Sequence, residues 1–83
     1  MHQHYPVITM KTFNVNNDLI DEIEVSVGKT YIVIHATIDG TIVEKNKILT
    51  GLLNPYHLES YIGELTENNQ LTNQIVSYIK SKL

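Results

Sequence analysis

Cysteine and arginine are both absent from the 83-residue sequence, in which all six basic side chains are lysines. Without cysteine, the chain can form neither a disulfide framework nor a thiolate metal site. Arginine is the usual side chain for paired hydrogen bonds to phosphate and guanine, so its absence removes a common nucleic-acid contact. The formal net charge of −3 also repels a phosphate backbone. Composition therefore argues against general nucleic-acid binding.

Long hydrophobic runs are also missing, since no stretch approaches the roughly 20 apolar residues of a membrane span. The stretch MHQHYPVITM lacks the basic start and the apolar core of a secretory signal peptide. We therefore expect a soluble protein of the cytoplasm that does not bind membranes. Hydrophobic residues make up 42% of the chain, which is enough for one core, and the length predicts a single domain, residues 1–83.

The first half of the chain alternates apolar and polar residues, as half-buried strands do. This pattern predicts strands over residues 20–27, 30–38 and 41–49. Residues 5–13 predict a further strand, although their mixed alternation does not assign its faces. Asp39-Gly40 is a strong signal for a tight hairpin turn between the last two strands.

The first hairpin is predicted to turn at Gly28-Lys29, because a type II′ turn takes glycine at its first central position. The resulting register brings the apolar sets of both strands to one side of the sheet. Its cross-strand pairs are Val27 with Thr30, Val25 with Ile32, and Ile23 with Ile34.

The second hairpin allows two registers. A two-residue loop would place Lys45 and Lys47 on the apolar side of the sheet. A three-residue loop, with Gly40 in the left-handed conformation and a bulge, aligns Ala36 with Ile42 and sends both lysines to the opposite side. We favour the bulged loop because the alternative buries two lysines.

The second half of the chain predicts two helices. Asn54 is a candidate N-cap with Pro55 at the first helical position, and Leu53 and Leu58 have the spacing of a hydrophobic staple. A second apolar stripe at helical spacing predicts a helix over residues 70–82. Strands followed by helices indicate an α+β fold: an antiparallel three- or four-stranded β-meander in the first half, with two C-terminal helices packed on one face.

The tripeptide Gly28-Lys29-Thr30 ends many phosphate-binding loops, but its surroundings here do not fit one. Such a loop has another glycine five residues earlier, where this chain has Ile23, and it leads into a helix. The residues after Gly28-Lys29 are β-branched and favour a strand. We therefore predict a turn at this position and no cofactor.

The four histidines are His2, His4, His35 and His57. A structural zinc site needs four ligands, and no spacing of histidines and carboxylates supplies them, so no metal site is predicted. Whether His2 and His4 bind a metal is left open by the sequence.

In the predicted register His35 lies opposite Glu22, on the face away from the apolar set. Because a carboxylate favours the protonated imidazole, His35 and Glu22 form a candidate pH-sensitive pair. The alternative is an ordinary cross-strand pair on a solvated surface.

The second face of the sheet is the candidate interaction surface, since it is neither fully polar nor covered by the predicted helices. Aromatic and β-branched side chains bordered by charge are typical of protein interfaces, although strands favour the same residues when they face solvent. The exposed strand edge at residues 41–47 is a second possible contact. The candidate face comprises Tyr31, Val33, His35, Thr37, Val43 and Lys45.

No serine or carboxylate has a spacing that links a nucleophile to a base, so no catalytic residue is predicted. We expect a small non-enzymatic protein-interaction module with an unidentified protein partner, self-associating or acting as a phage or mobile-element inhibitor of a host protein. One alternative is a nucleic-acid-binding module that gathers lysines on the sheet, and a further one is a small enzyme with its site at a dimer interface. The lysines in question are Lys11, Lys29, Lys45 and Lys47.

Overall fold

The computed structural model describes residues 9–83, which form a four-stranded antiparallel sheet followed by two helices. Strand order in the sheet follows chain order, so the sheet is a meander whose edges are the first and last strands. The predicted α+β fold is therefore confirmed, and the N-terminal strand is the fourth member of the sheet. The elements are β1 (Thr9–Asn14), β2 (Glu22–Val27), β3 (Tyr31–Ile38), β4 (Thr41–Leu49), a 3₁₀ turn (Thr50–Leu52), α1 (Pro55–Thr66) and α2 (Asn69–Lys82).

One face of the sheet carries the core, and both helices contribute to that core. We call this face the inner face and the opposite one the outer face. Every second side chain of β2 and β3 is buried on the inner face, which is the period of two that the sequence shows. The buried apolar side chains are Phe13, Ile20, Ile23, Val25, Val27, Ile32, Ile34 and Ala36 from the first half, and Leu58, Ile62, Ile75, Val76 and Ile79 from the helices.

The first hairpin has a register two residues away from the predicted one. Val27 pairs with Ile32, so the predicted pair of Val27 with Thr30 is wrong. The backbone N–H of Gly28 donates to the carbonyl of Tyr31 at 2.8 Å, which makes Lys29 and Thr30 the central residues of the turn.

This register has two physical causes. It pairs apolar residues with apolar residues on the inner side of β2 and β3, where the predicted register had left a threonine opposite Val27. It also exposes the carbonyl of Thr30 to Thr50, whose backbone N–H donates to it at 2.9 Å. Because the shift is an even number of residues, every side chain keeps its predicted face.

The second hairpin has a two-residue turn, and the predicted three-residue loop is wrong. Asp39 and Gly40 both have positive φ, 51° and 77°, as a type I′ turn requires. A bulge is present, but it lies within β4: Thr37 pairs with Ile42 and Ala36 pairs with Glu44.

Val43 is therefore the extra residue of β4, opposite no residue of β3. Beyond the bulge, Lys45 pairs with His35 and Lys47 pairs with Val33, which places both lysines on the outer face. The prediction that a bulge turns these lysines away from the core is confirmed, and only its position was wrong.

Helix α1 begins at the predicted capping residue. The side chain of Asn54 accepts hydrogen bonds from the backbone N–H groups of Tyr56 (2.9 Å) and His57 (3.3 Å), which confirms the predicted N-cap. Glu67 ends α1 in the left-handed conformation, with φ of 53°. Asn68 then caps α2 by accepting from the backbone N–H of Leu71 at 2.9 Å. This short connection makes α1 and α2 an antiparallel helical hairpin.

Asn17 joins the loop between β1 and β2 to the far end of α1. Its Nδ2 donates to the carbonyl oxygens of Leu65 (3.0 Å) and Thr66 (3.1 Å), the last two residues of the helix. Its Oδ1 accepts from the backbone N–H groups of Leu19 and Ile20. One amide side chain thus shapes the loop and satisfies helix carbonyls that have no partner within α1.

We expect Asn17→Asp to lower the free energy of unfolding by about 2 kcal/mol, because a carboxylate cannot donate to the two carbonyls. Its negative charge also lies at the negative end of the helix dipole. Asn73→Asp on the exposed surface of α2 makes the same chemical change without those contacts and should have little effect. Urea denaturation of the three proteins measures the difference, and equal losses in both variants would contradict this role for Asn17.

The inner side of β4 is more polar than the rest of the inner face. Glu44, Asn46 and Ile48 lie there, opposite Ala36, Ile34 and Ile32, and only the last of the three is apolar. Tyr61 of α1 packs near this region, with its hydroxyl buried close to Glu44 and Asn46. Burial, together with the negative charge of Glu44, raises the pKa of Tyr61 to about 12.

A raised pKa means that the folded protein holds the phenol proton more tightly than the unfolded chain does. The stability linked to Tyr61 is therefore complete below pH 10 and is lost as the pH rises towards 12. We expect Tyr61→Phe to be at least as stable as the wild type at pH 7 and to lose less stability at alkaline pH. Tyr56→Phe, at a tyrosine that is 81% exposed, should keep the wild-type alkaline loss in denaturation measured from pH 7 to pH 12. Parallel alkaline profiles for all three proteins would contradict the assignment.

Candidate interaction face on the outer side of the sheet

The outer face is covered by no element formed from residues 9–83, since both helices pack on the inner face. The observed pairing arranges its side chains in rows that cross the strands from β1 to β4. The first complete row is Met10, Ser26, Val33 and Lys47. The next two are Thr12, Glu24, His35 and Lys45, and then Asn14, Glu22, Thr37 and Ile42.

Charge is separated across this face. Both carboxylates, Glu22 and Glu24, lie on β2, and both ammonium groups, Lys45 and Lys47, lie on β4. The β3 residues between them form a central column without formal charge at neutral pH when His35 is neutral. The outer face therefore has a negative side, a central column and a positive side, in that order.

His35 is at the centre of the face, and its partner is Glu24. The predicted partner Glu22 is wrong: it lies opposite Thr37, because the true register is shifted by two residues. The distance from His35 Nδ1 to Glu24 Oε1 is 3.8 Å, and the side chains are 24% and 39% exposed. His35 Nε2 is buried and has no hydrogen-bond partner among residues 9–83.

A depression of about 270 Å³ surrounds this histidine. Glu22 and Glu24 both line it. The side chains of Thr12 and Thr37 also line this depression.

A larger hollow of about 370 Å³ lies at the opposite end of the face, beside the turn between β2 and β3. Ser26, Gly28 and Val33 line it together with Tyr31 and Lys47. Lys47 Nζ is 3.9 Å from the centroid of the Tyr31 ring, a cation–π contact that holds the aromatic ring against β4. Gly28 contributes to the hollow because it has no side chain on the outer face.

Exposed hydrophobic side chains concentrate on this surface. Nine large ones are exposed among residues 9–83, and five of them lie on the outer face or at the bulge beside it. Tyr31 and Val43 belong to the predicted set, whereas Met10, Ile42 and Leu49 do not. The alternation of β4 beyond the bulge could have identified Leu49, but no pattern assigned a face to Met10. The five exposed fractions are Met10 58%, Tyr31 41%, Ile42 51%, Val43 51% and Leu49 41%.

The predicted gathering of four lysines does not occur. Lys11 pairs with Val25 and so lies on the inner side of the sheet, where its Nζ is 5.0 Å from the Phe13 ring and 5.5 Å from the Tyr78 ring. Lys29 lies in the turn between β2 and β3, where it lines the same hollow as Lys47. Only Lys45 and Lys47 are on the outer face, which they share with two carboxylates.

Gly28-Lys29-Thr30 lies in the hairpin turn before β3, so a turn at this tripeptide is confirmed, but the prediction that Gly28 and Lys29 are its two central residues is wrong. Among residues 9–83, no group of three or more histidines and carboxylates is close enough to hold a metal ion. His2 and His4 lie outside the described residues. In the same part of the chain, neither helix has the length and hydrophobicity needed to cross a membrane.

Comparison with known proteins gives no relative: the chain matches no protein-family model, no curated protein and no solved structure.

Proposed function

We propose that this protein is a non-enzymatic interaction module that binds a protein partner through the outer face of its sheet. The observation that carries the proposal is the concentration of exposed hydrophobic side chains on a face that no described element covers. Apolar groups bordered by charges of both signs are typical of protein-binding surfaces.

Strand preference alone does not account for these side chains. Valine, isoleucine, threonine and tyrosine are favoured in strands even where they face solvent, which would explain Val33, Thr37 and Tyr31. Methionine and leucine have no such preference, yet Met10 and Leu49 are exposed at opposite edges of the same face. A binding surface explains all five positions with one cause.

The face is also suited to binding because its backbone is held in place. The inner sides of β2 and β3 are anchored in the core, where Ile23, Val25, Ile32 and Ile34 have no exposed surface. A surface that is fixed before binding loses little conformational entropy when a partner docks. The backbone that carries the outer side chains is therefore fixed before a partner binds.

The absence of cysteine supports a cytoplasmic location for this function. Small size and a composition rich in isoleucine, asparagine and lysine support a phage or mobile-element protein that inhibits a host protein. This part of the proposal depends on the sequence alone.

Val33→Glu tests the proposed face. The new carboxylate lies opposite Lys47, so the hairpin keeps a favourable cross-strand pair while an apolar centre becomes charged. Ser60→Glu adds the same charge at an exposed position of α1 and serves as the matched control. We expect immobilised wild type and Ser60→Glu to capture the same protein from a cell extract, and Val33→Glu to lose at least about tenfold in bound partner, about 1.4 kcal/mol.

Circular dichroism of the three proteins shows whether all are folded before capture is compared. Equal capture by folded Val33→Glu and wild type would contradict binding through the outer face.

A further inference from the structure

We infer that a partner of the outer face is a second copy of the same chain, packed face to face about a two-fold axis that runs along β3. This inference rests on the proposed function and names the partner of that surface. It follows from the separation of charge across the face and from one hollow at its end.

A two-fold axis along β3 exchanges the two sides of the sheet. The β2 side of one copy then faces the β4 side of the other, so the negative side of each face meets the positive side of its partner. Glu24 and Lys45 lie in the same row, on either side of His35. The axis therefore places Glu24 of each copy opposite Lys45 of the other, and the contact occurs twice.

The other in-plane axis, perpendicular to the strands, is disfavoured by the same charges. It would place β2 over β2 and β4 over β4, so carboxylates would face carboxylates and lysines would face lysines. Juxtaposed like charges oppose association. Charge thus selects one of the two face-to-face arrangements.

Shape agrees with charge at the end of the face. Gly28, Tyr31 and Leu49 form one row, in which Gly28 N–H donates to Tyr31 and Tyr31 pairs with Leu49. The axis along β3 brings Leu49 of each copy over Gly28 of the other, where the hollow of about 370 Å³ is found. An exposed leucine thus meets the one position of the row that has no side chain.

The arrangement matches the packing of two-layer β-sandwiches, whose strand directions agree to within about 30°. With the axis along β3, strands β2, β3 and β4 of each copy overlap those of the other, while β1 lies beyond the partner's edge. Three strands about 4.8 Å apart and seven residues of about 3.4 Å each give a footprint of roughly 14 by 24 Å. Interfaces of this small size bind weakly, so we expect a dimer with a dissociation constant in the micromolar range, about −8 kcal/mol or weaker.

Charge reversal tests the inference. In Glu24→Lys, and separately in Lys45→Glu, each contact becomes a pair of like charges, and we expect self-association to weaken by about tenfold or more. The double variant E24K/K45E restores opposite charges at both contacts and should dimerise as the wild type does. Sedimentation velocity at low salt, from about 1 μM to about 1 mM protein, covers the expected affinity.

Matched controls reverse the same charges away from the face. Glu64→Lys on α1 and Lys80→Glu on α2 change exposed residues of the helices and should leave self-association unchanged. An equimolar mixture of the Glu24→Lys and Lys45→Glu proteins should form a heterodimer, since each contact then joins opposite charges.

A wild type that stays monomeric at about 1 mM would overturn the inference. So would single variants that associate as the wild type does, or a double variant that does not recover. These outcomes can be told apart from a failure of the proposed function. If Val33→Glu loses capture and the wild type is a monomer, the outer face binds a partner, but that partner is a different protein. If wild type, Ser60→Glu and Val33→Glu capture the same amount of partner while dimerisation still depends on charge, the dimer is supported and the proposed function is contradicted.

Discussion

The structure depends on one constraint: the four strands bury apolar side chains on the inner face only. Each buried side chain of β2 and β3 is followed by one on the outer face. The helices follow the last strand as a short-linked hairpin, and both cover the inner face. Because both helices cover the inner face, no described element covers the outer face. The candidate function is thus a consequence of the core.

Fold class, the N-cap of α1 and the face of each residue in β2 and β3 could be predicted, because all three depend on local pattern. The face of a strand residue depends only on whether its position is odd or even, and a register shift of two residues does not change this. The turn at Lys29 and Thr30 could not be found in the same way. It is stabilised by Thr50, twenty residues later in the chain, through hydrogen bonds that no local pattern shows.

The candidate face was predicted in part for the same reason. Tyr31, Val33, His35 and Thr37 alternate within one strand, so their common face is visible in the sequence. Cross-strand neighbours depend on register, which is why Glu22 was named in place of Glu24. Met10 was missed because β1 joins the sheet through pairing with β2, and its own alternation is mixed. Charge separation across the face emerges only when three strands are aligned.

The bulge at Val43 gives β4 one residue more than its pairing with β3 requires. If Val43 were lost, the pairs of Thr37 with Ile42 and Ala36 with Glu44 would simply become consecutive, as in a regular ladder. Lys45 and Lys47 would keep their side of the sheet. The strand can therefore shorten by one residue without exchanging its two faces, a tolerance that a strand with no extra residue lacks. In evolutionary terms, this edge of the protein can change its length while the electrostatic pattern of the surface is inherited intact.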